Sequence, residues 1–429
     1  MHLLKKIIKN NFYYKKYIFQ KIMDLSSRTK IIITTVYFTL VIFTEPLYRN
    51  LLDNRDLIEN IQNTFDSKTI KLFSKYITYF GSEKGLIPLC VIFLFFNPFL
   101  YFLYLTFSTI SSTYLVSVLK LIYQNPRPYF QDDNIKLLVN CDVGYGNPSG
   151  HSLVSTVFYL GLWKLISKNK VFKDEKRKII NFSLLGFFIF FILCIAFSRL
   201  YGGVHSLNQI IYGILLGIGL FILYFYFFKI YNKNHEMFFL FIEENKILLN
   251  VIFILAYILI FPLYYFANDK KNKELYLNKI QNHCGADIAP SYKHFSNESF
   301  IGGSLILMLI GMFNGLLYSK KLMEKMYSTK EYIIINWHRN TFSRKIIRFL
   351  IMGIFSFPGL LFLIPSDSPN YIILIFKYNV SFLLLGFFIF GPGMYFGFKL
   401  TFDDNDPVNL KRTISLADEE MNAEFSTED

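Results

Sequence analysis

The chain has 429 residues, of which 53% are hydrophobic and 19% aromatic, and its formal net charge is +14. A soluble protein would interleave charge more evenly, whereas here apolar runs of about 18 residues or more recur, as in transmembrane helices. The runs lack the alternation that a membrane β-barrel needs, and the basic residues gather in the loops between runs, which argues against nucleic-acid binding.

The predicted fold is an all-α, polytopic transmembrane helix bundle. Residues 1–30 form a basic N-terminal segment, and residues 51–82 form a polar, interfacial segment. An acidic, disordered tail is expected at 401–429. About ten spans are predicted, at 31–50, 85–103, 105–123, 151–167, 179–198, 207–228, 246–266, 300–318, 347–364 and 371–400. We divide them into a six-span core at 31–230 and a C-terminal half with about four spans at 231–400.

The distribution of lysine and arginine gives the predicted topology. The loops 168–178, 229–246 and 319–346 are rich in basic residues and are therefore expected to be cytoplasmic, as are both termini. The loops 124–150 and 199–206 then lie on the opposite, lumenal or extracytoplasmic side. The chain would be an integral membrane protein.

Three polar blocks occur at the non-cytoplasmic ends of the predicted spans. Lys120 lies near the end of the third span, and Arg127 follows it between two prolines. Ser149, Gly150 and His151 open the fourth span. The third block contains Arg199, His205 and Gln209, at the junction of the fifth and sixth spans.

Together the blocks predict a phosphate site. Three cations without an obvious acidic partner suit a phosphate dianion, and a helix N-terminus adds backbone N–H groups. Two histidines suit a nucleophile and a general acid. Each cation alone is more often a side chain that reaches for the membrane interface, but three blocks on one predicted face make that interpretation the weaker one.

The blocks Lys-x6-Arg-Pro, Pro-Ser-Gly-His and Ser-Arg-x5-His resemble the signature of the type 2 phosphatidic acid phosphatase / vanadium haloperoxidase superfamily. The resemblance covers about residues 85–230 and implies a six-span phosphatase core. A haloperoxidase is hard to reconcile with the membrane spans. The resemblance therefore implies a phosphatase that needs no metal and no other cofactor.

The resemblance also implies the role of each residue. Lys120, Arg127 and Arg199 would bind the phosphate oxygens, with further donors around Ser149 and Gly150. His205 would attack phosphorus and form a phosphohistidine, and His151 would protonate the leaving alkoxide.

Gln209 departs from the common pattern, which has aspartate at this position. A glutamine can accept the imidazole N–H without a charge, so His205 would be less basic. The pattern around Gln209 is similar to the glucose-6-phosphatase branch, whereas the stretch from Gly81 to Leu100 resembles sphingosine-phosphate phosphatases. The expected substrate is thus a lipid phosphate (phosphatidate, lysophosphatidate or a sphingoid-base phosphate) or glucose 6-phosphate.

Two other functions stay open at this point. One is a catalytically weak or inactive relative that binds lipid or acts as a scaffold, and the other is a transporter. The retained histidines and cations favour the enzyme, and no inverted repeat supports the transporter. Membrane lipids are the expected surroundings, nucleic acid is not an expected partner, and the endoplasmic reticulum is the location that the resemblance implies.

Three smaller features complete the predictions. Cys141 and Cys284 lie in loops on the same predicted side, and two unpaired thiols are favoured over a disulfide. Asn297 begins a glycosylation sequon close to the membrane. Gly213 and Gly217 on the sixth span give a Gly-xxx-Gly face suited either to close helix packing or to lipid.

Overall fold

The computed structural model describes residues 25–96, 99–139, 141–142, 144–167, 175–232, 235–267, 280, 296–326, 341–362 and 371–401. This part of the chain is built from helices and contains no β-strand, so the predicted all-α class is confirmed. The predicted tail, apart from Thr401, and most of the N-terminal segment lie outside the described residues.

The N-terminal part contains nine helices and one short 3-10 helix among the described residues. They are α1 (Leu25–Leu52), α2 (Arg55–Thr64), α3 (Lys68–Ile77), the 3-10 helix (Thr78–Gly81), α4 (Glu83–Phe96), α5 (Phe99–Tyr123), α6 (Pro128–Gln131), α7 (Gly150–Ser167), α8 (Glu175–Tyr201) and α9 (Leu207–Asn232).

The C-terminal part continues with α10 (His235–Glu244), α11 (Lys246–Phe266), α12 (Ser296–Ser304), α13 (Ile306–Met326), α14 (Phe342–Leu361), α15 (Tyr371–Phe388), a π-helical turn (Ile389–Gly393) and α16 (Met394–Thr401).

Helix α7 lies at the centre of the N-terminal part, where it packs against α5, α8 and α9. Glycine makes the contact with α9 close. A Cβ atom at Gly213 would meet the Ser149 carbonyl oxygen at 2.7 Å, and one at Gly217 would meet Thr156 Cβ at 2.7 Å. The predicted Gly-xxx-Gly face therefore packs against protein rather than lipid.

Six helical stretches of the described chain are long and apolar enough to cross a membrane. They are Phe99–Gln131, Lys178–Tyr201, Leu207–Tyr226, Lys246–Phe266, Asn297–Met323 and Phe376–Thr401. In their described residues the predicted spans at 31–50, 85–103, 151–167 and 347–364 are largely helical as well, but those helices are shorter or less apolar. In α7 the reason is visible, because Ser152, Ser155 and Thr156 face protein and are buried.

One predicted boundary between spans is wrong. The break expected after residue 103 falls earlier, since α4 ends at Phe96 and α5 begins at Phe99. Pro98 lies in between, and proline is tolerated at a helix start but not in a helix interior. The eighth span, predicted from residue 300, is preceded by helical residues from Ser296 onward.

The C-terminal part packs onto the N-terminal part along α5. Helices α12 and α13 both contact α5, and α11 contacts α5, α12 and α13. An apolar cluster at this contact joins Tyr129, Phe130 and Tyr145 to Ile260 and Phe300. This packing brings the first turn of α12 to the end of the bundle where the polar blocks lie.

Candidate active site

His205 lies in the short connection between α8 and α9. The chain turns there at Gly203, whose φ of +74° is a left-handed conformation that glycine adopts without strain. A side chain at this position would also strike the Lys136 carbonyl oxygen at 2.7 Å. The turn holds His205 inside the protein, where its side chain is buried.

Hydrogen bonds define the tautomer of His205. Nε2 lies 3.2 Å from Arg127 Nη1, and Nδ1 lies 3.0 Å from Gln209 Oε1. Arginine can only donate, so Nε2 accepts and Nδ1–H donates to Gln209. The amide of Gln209 is oriented in turn, because its Nε2 donates to the Pro126 carbonyl oxygen at 3.1 Å. His205 thus presents an unprotonated Nε2 atom to the cations.

The surroundings of His205 favour its neutral form. Burial lowers the pKa of His205 well below its ordinary value, and the nearby positive charges of Arg127 and Arg199 lower that pKa further. Gln209 supplies an acceptor without the negative charge that would oppose these effects. A neutral imidazole with no proton on Nε2 is the form that can attack an electrophile.

Arg127 is held by contacts along most of its guanidinium. Nε donates to the Gly144 carbonyl oxygen at 2.6 Å, and Nη1 lies 3.3 Å from the Val204 carbonyl oxygen. Its backbone is extended (φ −81°, ψ 153°) immediately before α6, between the two prolines. The two flanking prolines restrict this backbone and so help to hold a buried cation against His205.

Arg199 lies in the last turn of α8 and is buried as well. Its Nη1 donates to Thr78 Oγ1 at 2.7 Å, and its Nη2 is paired with Asp142 Oδ2. Its Nε makes no hydrogen bond among the described residues. A buried guanidinium donor without an acceptor is costly, so the site is suited to an additional oxygen ligand.

Lys120, in the last turn of α5, pairs with a carboxylate from the C-terminal part. Its Nζ lies 3.1 Å from Glu298 Oε1 on α12. Glu298 Oε2 accepts from the Gly144 amide at 2.7 Å and lies 3.6 Å from Arg127 Nη2. The expectation that the three cations lack an acidic partner is wrong, because long-range packing brings Glu298 and Asp142 to them.

Asp142 bridges two of the cations. Its Oδ2 pairs with Arg199 and lies 3.4 Å from Arg127 Nη1. Burial acts to raise the pKa of Asp142, but the positive charges of Arg199 and Arg127 outweigh burial and hold that pKa far below its usual range. The carboxylate is therefore ionised and neutralises part of the positive charge.

The start of α7 forms another side of the site. The Ser149 hydroxyl accepts from the Ser152 hydroxyl at 3.0 Å and the Ser152 amide at 3.4 Å, as a helix-capping residue does. The Ser149 amide is committed to the Gln209 carbonyl oxygen at 3.0 Å. Gly150 and His151 supply the first amides of the helix, which have no intrahelical acceptor.

His151 lies against the 3-10 helix at the edge of this group. A Cβ atom at Gly81 would lie 3.2 Å from the His151 ring, so the His151 side chain packs closely on the Gly81 backbone. His151 also interacts electrostatically with Arg199, Asp142, Lys120 and Arg127. All eight residues predicted from the sequence are therefore assembled at one end of the bundle.

The loop directly before α7, which contains Asn147, is held in place by hydrogen bonds to Glu45 of α1. Asn147 Nδ2 donates to Glu45 Oε1 at 2.8 Å, and Arg49 Nε donates to the same oxygen at 2.9 Å. Glu45 and Asn147 are fully buried. An acidic residue inside a predicted span was the available signal for Glu45, since such residues are rare and functional.

Two further predictions have an outcome. Cys141, adjacent to Asp142, is disulfide-bonded, so the preference for an unpaired thiol is wrong there. Cys284 lies outside the described residues, and Cys90 and Cys194 are free. Asn297 is buried and its Oδ1 accepts from the Tyr264 hydroxyl at 2.7 Å, which leaves the sequon poorly accessible.

Residues 101–233 match the family model of the PAP2 superfamily. The chain carries a PAP2 superfamily domain. This PAP2 domain contains every candidate residue predicted from the sequence, from Lys120 to Gln209, whereas Glu45 and Glu298 lie outside it.

A curated relative of the PAP2 domain is also found. The chain is 27% identical over 122 residues to a dog (Canis lupus familiaris) protein named glucose-6-phosphatase catalytic subunit 1. The match covers 26% of this chain and 33% of the relative, so the chain spans about a third of the relative's length. No match was found among the solved structures.

Proposed function

We propose that the protein is an integral-membrane phosphatase that hydrolyses a phosphomonoester through a phosphohistidine intermediate. The observation that carries this proposal is the position of His205 Nε2, which is buried, unprotonated and 3.2 Å from Arg127 Nη1. Two further cations, Lys120 and Arg199, lie in the same cluster. A nucleophile beside donors that suit phosphate oxygens is the arrangement that phosphoryl transfer requires.

In the first step the electron pair on His205 Nε2 attacks phosphorus, and the bond to the leaving oxygen breaks. Arg127, Arg199 and Lys120 bind the phosphoryl oxygens, and the unused Nε of Arg199 donates to one of them. The first amides of α7 add donors from the backbone. His151 gives its proton to the leaving alkoxide, which departs as an alcohol.

In the second step a water molecule attacks phosphorus and the P–N bond breaks. His151 takes the proton from the water, and the electron pair returns to His205 Nε2. Gln209 holds Nδ1–H in both steps, so the same nitrogen faces the substrate each time. These steps need no metal ion, since cationic side chains balance the phosphate charge.

Two substrate classes remain within this proposal. Glucose 6-phosphate is supported by Gln209 and by the name of the dog relative. A lipid phosphate, such as phosphatidate, lysophosphatidate or a sphingoid-base phosphate, is supported by the PAP2 superfamily match. Both classes place the same phosphoryl group on His205.

We further propose that the site faces the lumen, with the endoplasmic reticulum as the membrane. The disulfide at Cys141 supports a non-cytoplasmic side, because disulfides persist in oxidising compartments. Cys141 is next to Asp142, so the oxidised segment and the site are on the same side.

The test is phosphate release by purified full-length protein from a panel of glucose 6-phosphate, lysophosphatidate, phosphatidate and sphingosine phosphate. We expect activity in the presence of a chelator, inhibition by vanadate, and loss to background in His205→Ala. His151→Ala should lose about 10²- to 10⁴-fold. Lys71→Ala, which removes a surface cation paired with Asp66, is the matched control and should retain activity.

An inactive relative that binds lipid or acts as a scaffold is the competing function. It predicts no phosphate release from any member of the panel by folded, monodisperse protein. Activity that is unchanged in His205→Ala would instead leave phosphatase chemistry but overturn the phosphohistidine mechanism.

A further inference from the structure

Glu298 brings the C-terminal half of the chain into the PAP2 site. Its carboxylate contacts Lys120 Nζ, the Gly144 amide and the guanidinium of Arg127, through both of its oxygens. A Cβ atom at Gly144 would lie 2.3 Å from Glu298 Oε2, so the loop backbone is close enough to hold this side chain. Glu298 is therefore a built component of the site, not a nearby surface charge.

The two carboxylates are the accessible charged groups of the described site. About 39% of the Glu298 side chain and 25% of the Asp142 side chain are exposed, whereas the side chains of Lys120, Arg127 and Arg199 are buried. His205 is buried too. A phosphate group that reaches His205 thus leaves the rest of its substrate on the side where the carboxylates are exposed.

The carboxylates also change the charge of the site. Among the described residues, three cations and two carboxylates leave one net positive charge, and the protonated His151 of the proposed first step adds a second, with His205 neutral. A phosphate dianion balances that charge fully. A second negative charge on the leaving group would lie near Glu298 without a cation left to balance it, and like charges brought together strongly disfavour the complex.

We propose, on the basis of the phosphatase function proposed above, that Glu298 determines specificity by excluding phosphomonoesters with an anionic leaving group. Neutral leaving groups are accepted, and groups that carry a carboxylate or a second phosphate close to the ester are rejected. Asp142 is paired more tightly to the two arginines and mainly holds them, so the more exposed Glu298 makes the larger contribution.

The test uses two small phosphates that differ in one charge. Glycerol 3-phosphate and 3-phosphoglycerate share their carbon chain, but the second has a carboxylate in place of a hydroxymethyl group. Both are measured as competitive inhibitors of whichever panel substrate the full-length protein hydrolyses. In the wild type we expect the inhibition constant of 3-phosphoglycerate to be higher by roughly tenfold or more.

Three variants identify the source of this discrimination. Glu298→Gln should bring the two inhibition constants within about threefold, mainly through tighter binding of 3-phosphoglycerate. Glu298→Asp keeps the charge and should keep the preference. Glu243→Gln is the matched control, because Glu243 pairs with Lys320 elsewhere in the protein, and it should behave like the wild type.

The wild type alone provides a second measurement if Glu298→Gln is inactive or does not fold. Salt screens the interaction of exposed charges, so the preference for glycerol 3-phosphate should shrink between low salt and about 0.5 M. The role of Glu298 is overturned if the wild type shows no preference for glycerol 3-phosphate. It is also overturned if neither Glu298→Gln nor salt reduces that preference. In both cases the phosphatase activity stands. Absence of hydrolysis of the whole panel overturns the proposed function instead.

Discussion

Gly146 lies directly against the side-chain amide of Gln209. A Cβ atom built at Gly146 would come within 2.6 Å of Gln209 Oε1 and 2.7 Å of Gln209 Nε2. Gly146 is itself fixed, since its amide donates to the Asn125 carbonyl oxygen at 2.8 Å. The absence of a side chain at position 146 thus allows Gln209 to reach and orient His205.

Gly146→Ala should therefore impair catalysis without removing any catalytic group. The added methyl displaces Gln209, and His205 loses the partner of Nδ1–H, so we expect kcat to fall about 10²-fold. The measurement is kcat beside a thermal unfolding curve. Gly186→Ala on α8 is the control, because a Cβ atom at Gly186 meets nothing within 4 Å. Equal kcat in the two variants would contradict the positioning role of Gln209.

The lowered pKa of His205 sets the acid side of the pH profile. The reaction needs an unprotonated Nε2, and burial with Arg127 nearby moves the pKa of His205 below its usual value. As pH falls, kcat/KM should therefore stay constant down to about pH 6.5 and decline only at lower pH. The substrate phosphate titrates near pH 6, so its ionisation must be measured and corrected for. A decline centred above about pH 6.5 after this correction would refute the prediction.

Gln209→Glu should move that acid limb in the opposite direction. A carboxylate beside Nδ1–H stabilises the imidazolium, which raises the pKa of His205 relative to the wild type. His205 is then protonated up to a higher pH, so the acid limb of kcat/KM should shift upward. Activity at the optimum should also fall, because the new carboxylate faces the Pro126 carbonyl oxygen where an amide N–H donates in the wild type. An unmoved limb would show that Gln209 does not contact His205 during the reaction.

Variants of Glu45 should separate its charge from its role as a hydrogen-bond acceptor. Glu45→Ala removes the partner of both Asn147 and Arg49, and because Arg49 is partly exposed we expect a loss of roughly 1–3 kcal/mol in the free energy of unfolding. Glu45→Gln keeps an acceptor for Asn147 and should lose less. Thermal unfolding in detergent gives the order of stability of the variants. The kcat values should follow the same order, since the loop with Asn147 directly precedes Ser149. Equal losses of stability in Glu45→Gln and Glu45→Ala would show that the hydrogen bond from Asn147 to residue 45 does not stabilise the protein.

The residues within the PAP2 signature could be predicted from the sequence because each occurs at an apolar boundary with a distinctive neighbour. Prolines mark Arg127, a helix start marks His151, and a glycine pair precedes His205. The Gly213 and Gly217 pattern left close packing and lipid contact open, and the structure shows close packing against α7. These are local signals that a helix boundary or a helix face carries by itself.

Glu298 and Asp142 were missed because their importance depends on which helices meet. Glu298 is 178 positions from Lys120, and nothing near either residue specifies that α12 packs against α5. Hydropathy also separates the helices of the described residues, six of which are long and apolar enough to cross a membrane. Hydropathy averages a whole helix, whereas α7 is covered by protein and carries small polar residues on its buried surface.

The ion pair between Lys120 and Glu298 also orders events during biosynthesis. Ribosomes add about 5–20 residues per second, so Glu298 is made roughly 5–20 s after His205. In that interval the nascent PAP2 domain holds Lys120 without its carboxylate partner from α12. The site thus acquires its final charge only when a late helix inserts beside an early one, and its maturation is a step of membrane assembly rather than of local folding.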